Sequence, residues 1–91
     1  MLVTVKLFAT FRNGRFMSEV REYPPGTVVR HILVELEIPE KELGAIFVNY
    51  RHAETDYELK EDDVVSIFPL VGGGGLRPES VFALYGKASL Q

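Results

Sequence analysis

Four consecutive glycines, Gly72-Gly73-Gly74-Gly75, follow directly on the apolar stretch Ile67-Phe68-Pro69-Leu70-Val71 and mark where a packed domain has to stop. Glycine has no Cβ, so four in a row make a thin backbone that enters channels closed to bulkier residues. A turn needs one or two glycines, whereas four suit a linker or an arm. The chain therefore divides into a candidate domain at residues 1–71, a glycine arm at 72–75 and a C-terminal extension at 76–91.

Composition narrows the function classes. Ninety-one residues make one domain near the lower end of independent folding, and a hydrophobic content of 46% supports a modest core. The net charge is −3 with no run of lysines or arginines, which argues against a nucleic-acid partner. The absence of cysteine excludes disulfides, thiolate zinc sites and thiol nucleophiles. No apolar run reaches membrane-spanning length, and residues 1–10 alternate too strictly for a signal peptide. The expectation is a soluble, cytoplasmic domain without a membrane partner.

Residues 2–8 alternate, with Val3, Val5 and Leu7 on one side and Thr4 and Lys6 on the other, which predicts a half-buried strand. Arg12-Asn13-Gly14-Arg15 supplies turn chemistry, and Phe16 to Tyr23 completes a hairpin. Thr27 suits a helix N-cap. Val29, Ile32, Leu33 and Leu36 follow at i, i+3, i+4 and i+7 as one helical face, with Arg30, Glu35 and Glu37 opposite. Pro39 is expected to end this helix. Ile46 to Tyr50 reads as a third strand, Arg51 to Glu61 as irregular with a short strand or turn near Thr55–Leu59, and Val64 to Phe68 as the last strand. The expected class is α+β. A mixed sheet of four or five strands crossed by one main helix makes the ubiquitin-like β-grasp the leading architecture.

With these elements in place, the chain resembles the MoaD/ThiS family of ubiquitin-like sulfur carriers, and within it most of all the small subunit of molybdopterin synthase. The resemblance runs from Val3 to about Gly74. It is carried by Val5-Lys6-Leu7-Phe8-Ala9, Pro25-Gly26-Thr27-Val28, Val48-Asn49 and the run Leu59-Lys60-Glu61-Asp62-Asp63-Val64-Val65-Ser66-Ile67-Phe68-Pro69. The family's pattern ends in phenylalanine, two prolines, valine, a small residue and two glycines. Phe68, Pro69 and Val71 match it, Leu70 replaces the second proline, Gly72 takes the small place, and Gly73-Gly74 fall on the diglycine.

The resemblance implies a carrier rather than an enzyme. A carboxylate is a poor acyl donor, so a partner enzyme adenylates the terminal glycine with ATP, and a sulfide equivalent then converts it to a thiocarboxylate. Gly74 would be the reacting residue and Gly73 the clearance residue before it, with Gly75 the alternative terminus. No cofactor is bound; ATP belongs to the activating partner. Implied partners are that adenylating enzyme and a larger synthase subunit or other sulfur acceptor. Molybdenum- or tungsten-pterin cofactor synthesis is the leading pathway, and thiamine synthesis, amino-acid sulfur delivery and protein conjugation use the same chemistry.

This chain continues past the diglycine, from Leu76 to Gln91, and an internal peptide has no carboxylate to adenylate. A protease would have to act first, and Leu76-Arg77-Pro78 is a plausible exposed cleavage site. The extension carries Val81, Leu84, Tyr85 and Ala88 at helical spacing, with Pro78 suited to a first turn, while Ser80–Tyr85 also reads as a short strand. Its apolar stripe docks either on the domain or on a partner. The rival from another class is a non-conjugating β-grasp interaction module with a permanent tail and a glycine hinge.

Phe8, Phe47 and Phe68 are the remaining binding candidates, together with Pro69 and Val71. Alternation sets Phe47 against Ile46 and Val48, and Phe68 against Ile67, so a helix over one sheet face leaves some of the three rings on the other. An uncovered aromatic face marks a partner surface; the alternative is that the tail covers it. Phe11, Arg12 and Arg51 are weaker members of the same region. Glu58, Glu61, Asp62 and Asp63 read as a solvated turn, or as a charged rim for a basic partner. His31 on the helix and His52 in a loop lack a ligand pattern for metal, and no Ser-His-Asp or paired-carboxylate arrangement has supporting context.

Overall fold

The structure, a computed structural model, describes residues 1–70. In chain order it has β1 Leu2–Leu7, β2 Ser18–Glu22, α1 Val29–Glu35, β3 Leu43–Val48, β4 Arg51–Ala53 and β5 Val64–Pro69, with short 3-10 turns at Ala9–Arg12 and Glu40–Glu42. The sheet order is β2-β1-β5-β3-β4. β1 and β5 run parallel at its centre and every other pairing is antiparallel. One helix crosses this mixed sheet, which is the β-grasp arrangement. The expected domain boundaries at 71/72 and 75/76 lie outside the described residues.

Alternation decides which side chains make the core. Val3, Val5 and Leu7 of β1 and Val65 and Ile67 of β5 are fully buried beneath Val29, Ile32 and Leu33 of α1. Fully burying an aliphatic side chain of this size contributes about 1.5–3 kcal/mol. Leu36, the last member of the helical face, is only half-buried.

The helix termini differ from the sequence expectation. Val28, not Thr27, is the N-cap, and the Thr27 hydroxyl donates to the Pro24 carbonyl at 2.7 Å. The first-turn amides need no hydroxyl, because Val29 N–H donates to the Tyr57 carbonyl and Arg30 N–H to that of Thr55. At the other end α1 stops at Glu35, well before Pro39. Glu37 takes φ +59, its N–H bonds the Val34 carbonyl, and Ile38 N–H bonds that of Leu33. This is a Schellman ending built without glycine. Arg15 adds a cation there, donating to the carbonyls of Leu36 and Glu37 as well as to Phe11.

The strand limits also shift. The β1–β2 connection is no tight Asn-Gly hairpin. It runs through the Ala9–Arg12 turn, which buries Phe11 in the core, and β2 begins at Ser18 rather than Phe16. Gly14 does take a positive φ. β3 starts at Leu43 and ends at Val48, because Asn49 and Tyr50 both adopt positive φ and turn the chain into β4. The stretch after Tyr50 is therefore a strand at Arg51–Ala53, and His52 sits in it rather than in a loop. Between residues 55 and 59 the only pairing is the Val28–Glu58 bridge.

Candidate functional site

Strand β5 carries the chain toward the glycine arm, so its last residues set where the arm begins. Pro69 has no N–H and cannot donate to β3. The next residue restores the connection: Leu70 N–H donates to the Glu42 carbonyl at 2.9 Å. Leu43 pairs with Pro69 and Ala45 with Phe68, leaving Gly44 as the extra residue of a β-bulge. A Cβ on Gly44 would overlap the Pro69 carbonyl oxygen and lie 2.7 Å from its carbon. Gly44 thus admits the end of β5 against β3. Sequence reading missed both Gly44 and the Leu70 bond; a glycine inside a strand pattern was the available signal. Val71, Gly73, Gly74 and Gly75, named above as site residues, lie outside the described residues.

Beside this exit lies an aromatic cluster on the sheet face away from α1. Phe8 and Phe68 stack with ring centroids 4.2 Å apart and planes 11° apart. Phe47 meets Phe68 edge-on at 6.0 Å and His52 at 6.0 Å. Ala45, Phe47 and Phe68 form a second buried cluster, separate from the core under the helix, with half-buried Phe8 against it. Phe47 and Phe68 are 2% and 5% exposed, and Pro69 is buried. Arg12 holds its guanidinium carbon 5.3 Å from the Phe8 centroid while its Nε donates to the Leu7 carbonyl. The structure therefore brings Phe8, Phe47 and Phe68 together, with Arg12 at their edge; Pro69 follows them in β5 and lies against Gly44, and Phe11 belongs to the main core.

The acidic turn is not uniformly solvated. Asp63 is 5% exposed, and its carboxylate accepts from Asn49 Nδ2, Lys60 N–H and the Tyr57 hydroxyl. Asn49 also accepts from Val64 N–H, so one side chain joins the β3–β4 turn to the start of β5. Burial, followed by the Asp63 charge, raises the Tyr57 pKa above the ordinary phenol value. Next to this network a hollow of about 530 Å³ is lined by Val48, Asn49, Arg51, His52, Ala53 and Tyr57. Among the described residues no group of three or more histidines and carboxylates is placed to hold a metal, and no helix is long and apolar enough to cross a membrane.

A β-grasp whose central strand delivers the chain to a glycine run, beside an aromatic face, defines the class of small ubiquitin-like carriers and modifiers. The family model described as the ThiS family matches residues 5–74, and the chain belongs to that family. Among solved structures, the protein described as molybdopterin converting factor subunit 1 from Pyrococcus furiosus is 37% identical, with a TM-score of 0.62 over 78% of this chain and 99% of its own. A chain of the complex of molybdopterin-converting factor subunits 1 and 2 from Helicobacter pylori 26695 gives 27% identity and a TM-score of 0.58, over 81% of this chain and 100% of its own. SAMP1 from Haloferax volcanii shares the fold at 18% identity, with a TM-score of 0.63 over 81% of this chain and 100% of its own. No match was found among curated proteins.

Proposed function

We propose that this chain is a sulfur carrier that works after its tail has been removed behind Gly74. The freed glycine carboxylate attacks ATP on a partner enzyme to form an acyl-adenylate with release of pyrophosphate. A sulfide equivalent then displaces AMP and leaves a thiocarboxylate. The sulfur is handed to a molybdenum- or tungsten-pterin precursor on a second, larger subunit, a pairing that the two-subunit complex of the Helicobacter pylori converting factor supports. The chain itself supplies no catalytic side chain; it holds a narrow arm at a fixed place. Such positioning converts a bimolecular encounter into an effectively unimolecular one.

The observation that carries this reading is that the family match stops at residue 74, at the diglycine, although the chain continues to Gln91. The Pyrococcus furiosus relative supports it, since nearly all of its length corresponds to 78% of this chain. The test is the intact mass of the protein isolated from its native cells. A species ending at Gly74 or Gly75, part of it heavier by one oxygen-to-sulfur exchange, is the expected result. Full-length, unmodified chain alone would favour an interaction module with a permanent tail.

A further inference from the structure

In a two-layer fold the sheet face away from the helix ordinarily meets water, yet here it holds Phe47 and Phe68 at 2% and 5% exposure and a fully buried Ser66. The described hydrophobic members of this layer are only Ala45, Phe47, Phe68 and half-buried Phe8. Each aromatic side chain presents about 150–250 Å² for burial. Three rings side by side would make an apolar patch of a size that single chains rarely leave in water.

We propose that the occupant of this face is the chain's own segment 76–91, set down through Val81, Leu84 and Tyr85 on the rings of Phe8, Phe47 and Phe68. Reach and connectivity favour this segment. β5 crosses the aromatic face and ends at Pro69, so the extension begins only a few residues beyond the face's own edge. The intervening Val71–Gly75 spans up to about 16–18 Å when extended. The three rings stand on or beside β1, β5 and β3, adjacent strands whose outer pair is about 10 Å apart. A segment tethered by so few residues experiences an effective concentration of millimolar order at the face, which a free partner seldom reaches.

The consequence for activity, which rests on the carrier reading, is that one cleavage does two things. It creates the glycine carboxylate, and it uncovers the aromatic surface beside the arm for the next partner. The uncut chain is then inert both chemically and as a binding surface.

The test uses full-length chain carrying Leu84→Asp, which places a charge in the stripe far from the described domain in sequence. Proton NMR of the unsubstituted chain is expected to show contacts between the Leu84 methyls and the Phe47 and Phe68 rings, independent of protein concentration. In Leu84→Asp those ring resonances shift and fluorescence of a hydrophobic dye rises severalfold, while the Val5 and Ile67 methyl resonances stay in place. Unchanged rings and dye binding would overturn the proposal, as would ring contacts that appear only as concentration rises, which would make a second copy the occupant. Neither outcome touches the carrier reading, which stands or falls on the terminus found in native cells.

Discussion

Gly44 and Pro69 meet backbone to backbone, with the space of the missing Gly44 Cβ filled by the Pro69 carbonyl group. The contact belongs to the bulge that lets β5 end against β3, and the Leu70–Glu42 hydrogen bond closes it one residue later. From Leu70 to Gly74 the chain reaches at most about 13–14 Å. Gly44→Ala forces either the bulge or the end of β5 to move. The expected cost is about 1–3 kcal/mol, the usual range for overpacking. Urea denaturation measures that loss, and faster hydrogen exchange at the Leu70 amide would locate it at the arm's root. A stable variant with unchanged Leu70 exchange would show that the contact relaxes freely.

The Schellman ending of α1 places Glu37 where glycine is favoured, at φ +59. A left-handed conformation costs an L-residue about 1–2 kcal/mol, and glycine in the unfolded chain gives back about half of the gain through its greater freedom. Glu37→Gly is therefore expected to stabilise the fold by about 0.5–1 kcal/mol, seen as a higher denaturation midpoint with an unchanged slope. The Arg15 bond is to the Glu37 backbone oxygen and survives the substitution.

The same helix shows what was legible in the sequence. Its apolar face was clear from the spacing of Val29, Ile32 and Leu33, because periodicity records burial directly. Its ends were not. The N-terminal amides are satisfied by carbonyls of Thr55 and Tyr57, more than twenty residues away, and the C-terminus is turned by a glutamate rather than by Pro39. Such partners leave no local signature. Alternation set Phe47 and Phe68 opposite their core-facing neighbours, but it did not place Phe8, which joins them from the end of β1; β4 was hidden because Asn49-Tyr50 make a tight turn without glycine. Asp63 looked like its neighbours Glu61 and Asp62, and only tertiary contacts distinguish it.

Asp63 is expected to be the costly position of that acidic turn. Its carboxylate holds Asn49, Lys60 N–H and Tyr57 in one buried network. Asp63→Ala strands those donors and should cost about 3 kcal/mol, since hydrogen bonds to a charged group are the strong ones and buried donors left without partners add to the loss. Glu61, exposed, accepts from Leu2 N–H at 3.0 Å. Glu61→Ala should cost about 1 kcal/mol at most. Equal losses in paired urea titrations would refute the distinction.

Alkaline pH tests the contact between β2 and α1. Tyr23 donates to Glu35 Oε1 at 2.7 Å, and Arg21 bridges Glu35 at 3.0 Å. Burial, reinforced by the bond to Glu35, pushes the Tyr23 pKa up to about 12. An unfolded tyrosine ionises near pH 10, so the native state favours the neutral phenol. The stability this bond contributes is present in full below about pH 10 and is lost as pH rises through about 12. Comparing the unsubstituted chain with Tyr23→Phe removes the contribution of every other group that titrates in the same range. The unsubstituted chain should be the more stable of the two from neutral pH to about pH 10, and its advantage should shrink steadily toward about pH 12. A difference that stays constant across that window would mean that Tyr23 does not couple its proton to folding through Glu35.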